Sequence, residues 1–279
     1  MPTFKTLWIA VLFCSDAQGA YLPSSNKPVA LGVGNIAAFK SNPFAANNHP
    51  GTLAFANKNS LSLGVESLFL VEGLNMACLS WNYRLNKRQI LGLGYNFFGH
   101  SAYNESMAKI AIAQKLSPVF GAGLSLDYFR LQLPSENFGV KHLLSIEAGI
   151  YASLSSNIDF ALHVLNPFRP RIGEYMDERL PFVVNATILY KPNKNAIIAS
   201  EWHQIMNEKG QLRAGVIYKV SEKMSLRGGA YFKPINLGFG FTYCARNLSV
   251  HFDFAMHPYL NLSSAAAITY TSTNESQDF

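Results

Sequence analysis

From about Asn59 onward the chain follows one rule: every second side chain is large and apolar, and those between are small, polar or charged. The stretch INLGFGFTYCARNLSVHFDFAM, Ile235 to Met256, shows it. Ile235, Leu237, Phe239, Phe241 and Tyr243 share one phase, with Asn236, Gly238, Gly240, Thr242 and Cys244 between them. After Ala245-Arg246-Asn247 the pattern resumes through Leu248, Val250, Phe252, Phe254 and Met256. A period of two is that of a β-strand with one apolar face. The same reading predicts strands at 60–70, 73–85, 88–98, 105–116, 119–132, 140–155, 157–165, 181–191, 195–206, 210–220, 223–233 and 262–272. With the two in the quoted stretch that makes about 14, each of roughly the ten residues a tilted membrane-crossing strand needs.

Alternation alone fits a soluble sandwich as well as a membrane barrel, and the placement of charge and aromatics decides between them. Charges of both signs fall on the non-apolar phase: Glu66, Lys109, Asp127, Glu147, Glu201, His203, Arg213, Arg227, His251 and Asp253. The apolar phase of nearly every strand ends on an aromatic residue: Tyr83, Phe97, Tyr128, Tyr190, Trp202, Tyr218, Phe232, Tyr243 and Tyr270. Aromatic girdles at a membrane interface account for that. The tight polar turns NKR, LSP, SSN, KPNK, SEK and ARN alternate with longer links, the longest being NPFRPRIGEYMDERLP at 166–181. Short turns on one side and longer loops on the other characterise outer-membrane barrels. The expected fold is therefore all-β, a transmembrane antiparallel β-barrel of about 14 strands over residues 59–272, in the outer membrane of a Gram-negative bacterium. Its apolar face would meet lipid, its charged face would line a lumen, and both termini would be periplasmic. Phe241→Arg, on the lipid phase, is expected to be costly and Thr242→Arg, on the lumen phase, to be mild.

Residues 1–19 read as a secretory signal: Lys5, an apolar core from Leu7 to Cys14, and small residues Ala17 and Gly19 before the cleavage site. Residues 20–58 lack clean alternation and are rich in Gly, Ala, Asn and Pro. They are too apolar for a disordered leader and too long for a simple connection, and a plug inside the barrel is their natural place. Glycines of the inner phase, Gly215, Gly229, Gly238 and Gly240, would make room for it. Residues 273–279 form a short tail.

Several function classes are disfavoured. Net charge is +6, but no Lys/Arg cluster exceeds two neighbours apart from the broken RLNKR at 84–88, so nucleic acid is not an expected partner. GVGNIAAF and GAGLSLDYF do not open a helix as phosphate loops do, so no cofactor is expected. Cys78 and Cys244 have no zinc spacing, and no metal site is expected. His251, Asp253 and His257 share a phase, as do Glu201 and His203, which suits a salt-bridged lumen better than an acid–base or metal site. A membrane lipase would need its Ser and His facing lipid, whereas His163, His203 and His251 fall on the inward phase. The chain is not expected to be an enzyme.

The motif His49-Pro50-Gly51-Thr52-Leu53-Ala54 resembles the N-P-A-G-L-A signature that precedes the first strand in the PorV/PorQ group of Bacteroidetes outer-membrane proteins, with His49 in the usual Asn position and Gly51 in the usual Ala position. FGHSAYNE at 98–105 and the Asn-Pro pair at 166–167 also look like that group. The group is related in fold to the FadL long-chain fatty acid channel, a barrel with an N-terminal hatch. The resemblance implies that His49, Pro50, Gly51, Leu53 and Ala54 belong to a plug. It implies a component of type IX protein secretion or client attachment, whose partners would be secretion components or secreted clients. The alternatives are a FadL-like channel for small hydrophobic compounds and a structural barrel that scaffolds partner lipoproteins. Within a plug, His49 would be expected to bond to an inward-facing side chain.

Overall fold

Strand alternation is only stable in hydrocarbon if no strand is left at an edge, because an unpaired backbone N–H or C=O has no water to turn to. A computed structural model describes residues 29–101, 103–132, 139–173, 178–232 and 234–272. The expected signal (1–19), the first part of the expected plug (20–28) and the expected tail (273–279) lie outside these. Within them, 14 antiparallel strands close into one barrel, each paired with its neighbours in sequence and the last with the first. The strands are β1 Ser60–Ser67, β2 Asn75–Arg84, β3 Gln89–Gly99, β4 Asn104–Lys115, β5 Phe120–Gln132, β6 Val140–Ser153 and β7 Ile158–Leu165. They continue with β8 Val183–Asn193, β9 Ala196–Ile205, β10 Gln211–Lys219, β11 Met224–Tyr231, β12 Asn236–Ala245, β13 Leu248–His257 and β14 Asn261–Thr271. Closure runs from Ser60 opposite Thr271 to Ser67 opposite Ser264.

Several strand ends differ from the expectation by two or three residues, and two of these have a local cause. β1 stops at Ser67 because Phe69 and Leu70 take left-handed backbone, φ 56° and 52°, in the turn to β2. β8 runs on to Asn193, with a register irregularity between Tyr190 and Asn193. Pro192 lies in that interval and has no N–H to give a ladder.

The six short turns expected from the sequence all lie at the end of the barrel that also holds residues 59 and 272; the three-residue link 258–260 is at the opposite end. Five of the six use one device. Asn86 Oδ1 accepts from the backbone N–H of Arg88 and Gln89, Ser117 Oγ from Val119 and Phe120, Ser155 Oγ from Asn157 and Ile158, Asn193 Oδ1 from Asn195, and Ser221 Oγ from Lys223. A short polar side chain closing its own turn is why Asn and Ser stand there. The opposite end carries the longer loops. There 166–173 and 178–182 fold back over the mouth, burying Ile172 and Leu180 against Leu131 and Leu143.

The apolar phase faces outward as a belt of exposed Leu, Ile, Val and aromatic side chains on every strand; Leu144 is 62 % and Ile110 58 % exposed. No soluble protein leaves such a band uncovered, and a bilayer is the solvent it fits. The other phase faces inward, and the segment before β1 lies there with it. A 3-10 turn at Leu31–Val33 and two single α-turns, α1 Ala45–Asn48 and α2 Pro50–Leu53, are buried inside the barrel. Val33, Ile36, Phe39, Leu53 and Phe55 from this segment form one core with Ile90, Ala111, Tyr151, Ala161 and Leu189 of the wall.

Phe241→Arg should cost about 2–4 kcal/mol in refolding into a bilayer, the penalty for a guanidinium on the lipid face near the midplane. Ser156→Arg, in the exposed β6–β7 turn, should change stability by less than about 0.5 kcal/mol. Denaturant titration of the reconstituted barrel measures both.

Candidate functional site

The lumen is a seat for the segment 29–58, and glycine makes the seat. A Cβ built on Gly123 of β5 would lie 2.3 Å from the Pro50 carbonyl oxygen, and one on Gly229 of β11 would lie 2.2 Å from the Gly34 nitrogen. Backbone thus packs on backbone, which is possible only where neither side carries a side chain. The inward glycines Gly215, Gly238 and Gly240 also meet the segment, at Val33, Leu31 and Gly32. The plug-motif residue Gly51 is held by the same closeness: a Cβ built on it would lie 2.7 Å from the backbone of Gly149 and Ile150.

Irregular backbone buried in a barrel must find hydrogen-bond partners on the wall. Three groups of inward charges supply them. On β4 to β7, Lys109 Nζ donates to the Asn47 carbonyl (3.0 Å) and to Glu147 Oε1 (2.5 Å), with Asp127 Oδ2 at 3.8 Å. Glu147 Oε2 pairs with His163 Nε2 at 2.9 Å, and Ser125 bonds Asp127. On β11 to β13, Asp253 Oδ2 accepts from the Gly32 N–H at 3.0 Å while its Oδ1 receives Arg227 Nε at 3.1 Å. Arg227 also donates to the Phe241 carbonyl and to Thr242. Thr242 continues to His251 Nδ1 (2.8 Å), and Thr269 joins His251 to Ser62, which donates to the Pro43 carbonyl. On β8 to β10, Arg213 Nη1 bonds Glu201 Oε1 (3.2 Å) and the Asn35 carbonyl (3.3 Å), while Thr187 donates to Glu201 Oε2. Each cation is paired on the wall; Lys109 and Arg213 spend a further N–H on the segment, and beside Arg227 it is Asp253 that meets it.

His203 is also inward but bonds Asn185 at 2.6 Å. Glu66, inward near the loop end of β1, is 4 % exposed, and its Oε2 has no hydrogen-bond partner among the described residues. His257, grouped with His251 and Asp253 by phase, sits at the rim against the Phe69 ring at 5.6 Å. Among the described residues no cluster of three or more His, Cys, Asp or Glu could hold a metal ion. Cys78 and Cys244 are free thiols.

His49 caps its own helical turn. Its Nδ1 accepts from the N–H of Gly51 (3.1 Å) and Thr52 (3.3 Å), capping α2, with Pro50 in the first turn. An Asn in this position would offer its side-chain oxygen to the same donors, so the His-for-Asn exchange preserves the cap. The imidazole ring also packs 4.8 Å from that of His163. Leu53 is fully buried in the shared core and Ala54 lies against Gly121. Thr242 is no tolerant lumen position either. It is 6 % exposed and bonded to both Arg227 and His251, so Thr242→Arg would force a second guanidinium beside the first.

At the short-turn end the seat opens into a vestibule of about 390 Å³ lined by Ile36, Phe39, Lys40, Ile217, Arg227 and His251 among others. Lys40 reaches from the segment to Ser153 Oγ (2.9 Å) and lies 4.4 Å from the centre of the Phe55 ring. Burial of its ammonium lowers its pKa, opposed by the Asp159 charge.

No family model matches the sequence, and no curated protein matches it significantly. Solved structures do. The CymD monoaromatic hydrocarbon channel superposes with a TM-score of 0.67 at 14% identity, over 89% of this chain and 98% of that one. The Ralstonia pickettii toluene transporter TbuX gives 0.67 at 13% identity, over 89% and 98%. A Pseudomonas aeruginosa FadL homologue gives 0.59 at 11%, over 88% and 98%. The chain has the fold of FadL-type outer-membrane channels.

Two outcomes follow from the seat. Gly123→Val should leave a folded barrel but expel the segment around Pro50, seen as new trypsin cleavage at Lys40 and Lys58 in the inserted protein. Asp253→Leu strands Arg227 in the lumen and should destabilise by about 3–5 kcal/mol, and adding Arg227→Leu should recover a large part of that loss. Thermal unfolding of the three variants tests the pairing. For the cap, His49→Leu should cost about 1 kcal/mol and His49→Asn much less.

Proposed function

We propose that the protein is an outer-membrane channel for small hydrophobic compounds, with residues 29–58 as its plug. The observation that carries this reading is the combination of a FadL-type barrel and a lumen filled by its own N-terminal segment. The solved structures of this fold include one described as a monoaromatic hydrocarbon channel and one as a toluene transporter. Apolar side chains stand at both ends of the lumen. Tyr103, Phe129, Leu131 and Leu143 lie at the loop end, and Ile36, Phe39 and Ile217 at the vestibule. Apolar side chains thus flank the salt-bridged middle, which holds the plug, at both ends of the lumen. Loop lengths support the orientation in which the short turns and the ends of the barrel-forming chain are periplasmic. No step of chemistry is required, so the protein acts as a conduit and not as an enzyme.

The secretion reading rests on short motifs, chiefly that at 49–54. That motif has a structural task here, capping α2 and seating it on Gly123 and Gly149, whatever passes through the barrel.

Proteoliposomes carrying the protein should take up a monoaromatic hydrocarbon faster than protein-free vesicles. Uptake no faster than the bare bilayer, with retrieval of secretion components from native membranes, would favour the secretion reading. Deleting residues 20–56 should leave an inserted barrel, since strand pairing and the lipid face are untouched, and should raise single-channel conductance for small ions. An inserted mutant with unchanged conductance would sink the plug assignment.

A further inference from the structure

The charge on this barrel is not spread evenly between its two ends. At the short-turn end, Lys87 and Arg88 lie between β2 and β3, Lys194 between β8 and β9, Lys223 between β10 and β11, and Arg246 between β12 and β13. All five are exposed. Among the described residues the carboxylates at this end are Glu222, bonded to Lys219 at 2.8 Å, and Asp159, buried and bonded to Lys191 at 2.8 Å. Both carboxylates are engaged by other lysines, and the described residues at this end carry an excess of positive charge. The loop end, by contrast, mixes Glu72, Glu178 and Glu208 with its cations.

Depth gives the cations a partner. Tyr83, Tyr190, Tyr218, Tyr243 and Tyr270 are exposed on the outward face at the last turns of their strands, on this same end. Exposed tyrosines at that level mark the boundary where hydrocarbon gives way to headgroups. The five cations follow within a few residues of those tyrosines or face them across a turn, so their stems leave the belt at the height of lipid phosphates. Long basic side chains at that height extend toward the interface. We propose that the short-turn rim is a binding ring for the phosphate groups of anionic lipids in the leaflet it meets. The proposal rests on the reading that the barrel spans a bilayer, and it goes beyond the conduit function. It assigns the rim a lipid class, fixes the depth of the barrel in the membrane, and makes that depth sensitive to the leaflet's charge.

Four separate turns supply the charges, so the ring should bind several lipids around the circumference and not one headgroup in a pocket. A lipid beside one such side chain should be favoured about fivefold over a neutral one at low salt. Above about 0.5 M salt the preference should fall away, as screening confines surface charges to a few ångströms.

The test is reconstitution of the full chain in phosphatidylcholine bilayers with a trace of spin-labelled phosphatidylglycerol or spin-labelled phosphatidylcholine, reading the motionally restricted fraction of each. The wild type should select phosphatidylglycerol, and 0.5 M NaCl should erase the selection. The variant with Lys87, Arg88, Lys194, Lys223 and Arg246 all changed to Gln should show none. A control with Lys141, Arg179 and Lys209 of the loop end changed to Gln should keep it. Heat-modifiable migration reports insertion separately, so a barrel that fails to insert bears on the membrane reading and not on the ring. An inserted wild type with equal fractions of the two lipids, or a five-Gln variant with unchanged selection, overturns the proposal. Capture of soluble polyglutamate by a wild type lacking lipid selection would assign the rim to an acidic macromolecule instead. Loss of selection on adding inorganic phosphate, beyond that caused by NaCl of equal ionic strength, would make the ring a site for the free anion and also overturn it.

Discussion

The pairing of β1 with β14 is the constraint on which the rest depends. In hydrocarbon, each unpaired backbone donor or acceptor costs several kcal/mol, so the sheet must have no edge. Once Ser60 to Ser67 lie opposite Thr271 to Ser264, every strand has two neighbours and the two faces of the sheet are separated for good. One face becomes the outside of a cylinder and the other a closed interior. The alternation of side chains then stops being a matter of core against water. Leu, Ile and aromatic residues go where the solvent is apolar, and charges of both signs go where they can find only one another.

That interior creates the second problem, which the N-terminal segment solves. A lumen lined by paired charges leaves spare hydrogen-bonding capacity on each cation and carboxylate. The segment brings a run of backbone groups freed by its broken helical turns. Lys109, Asp253 and Arg213 each meet one of them. Packing requires the two backbones to approach to van der Waals contact, and the glycines of β5, β6 and β10 to β12 permit it. Charge network and glycine seat are two halves of one arrangement, since each would leave buried groups unsatisfied or voids unfilled without the other.

Most of the barrel was legible in the sequence because period-two alternation over many strands is a repeated signal, with girdle aromatics and turn residues marking its phase and ends. Strand ends were less legible where a local conformation intervened, as at Phe69 and Leu70 or around Pro192. The inward charges Lys109, Glu147, Glu201, Arg213, Arg227 and Asp253 could be assigned to a face but not to each other, because partners such as Lys109 and Glu147 meet only once the register is set. The uncharged members Ser62, Asn96, Thr187 and Thr242 carry no signal beyond phase, and neither do Gly123 and Gly149, which seat α2. His49 has a task that phase does not signal: its side chain turns back to the N–H groups two and three residues ahead, besides packing on His163 of the wall. The family expectation of secretion rested on a few short motifs, and the architecture around them belongs to a wider class of barrels.

The grip on the segment runs largely through its main chain: the carbonyls of Asn35, Pro43 and Asn47 and the N–H of Gly32. A lock built this way reads position along a backbone and is nearly blind to the letters that backbone spells. The wall must stay as it is, since losing one charge or gaining one methyl group spoils the seat, whereas many of the plug's own side chains can drift. Related barrels would then keep recognisable lumens around hatches whose sequences no longer align, and the seat, not the hatch, would be the part to trace between distant members.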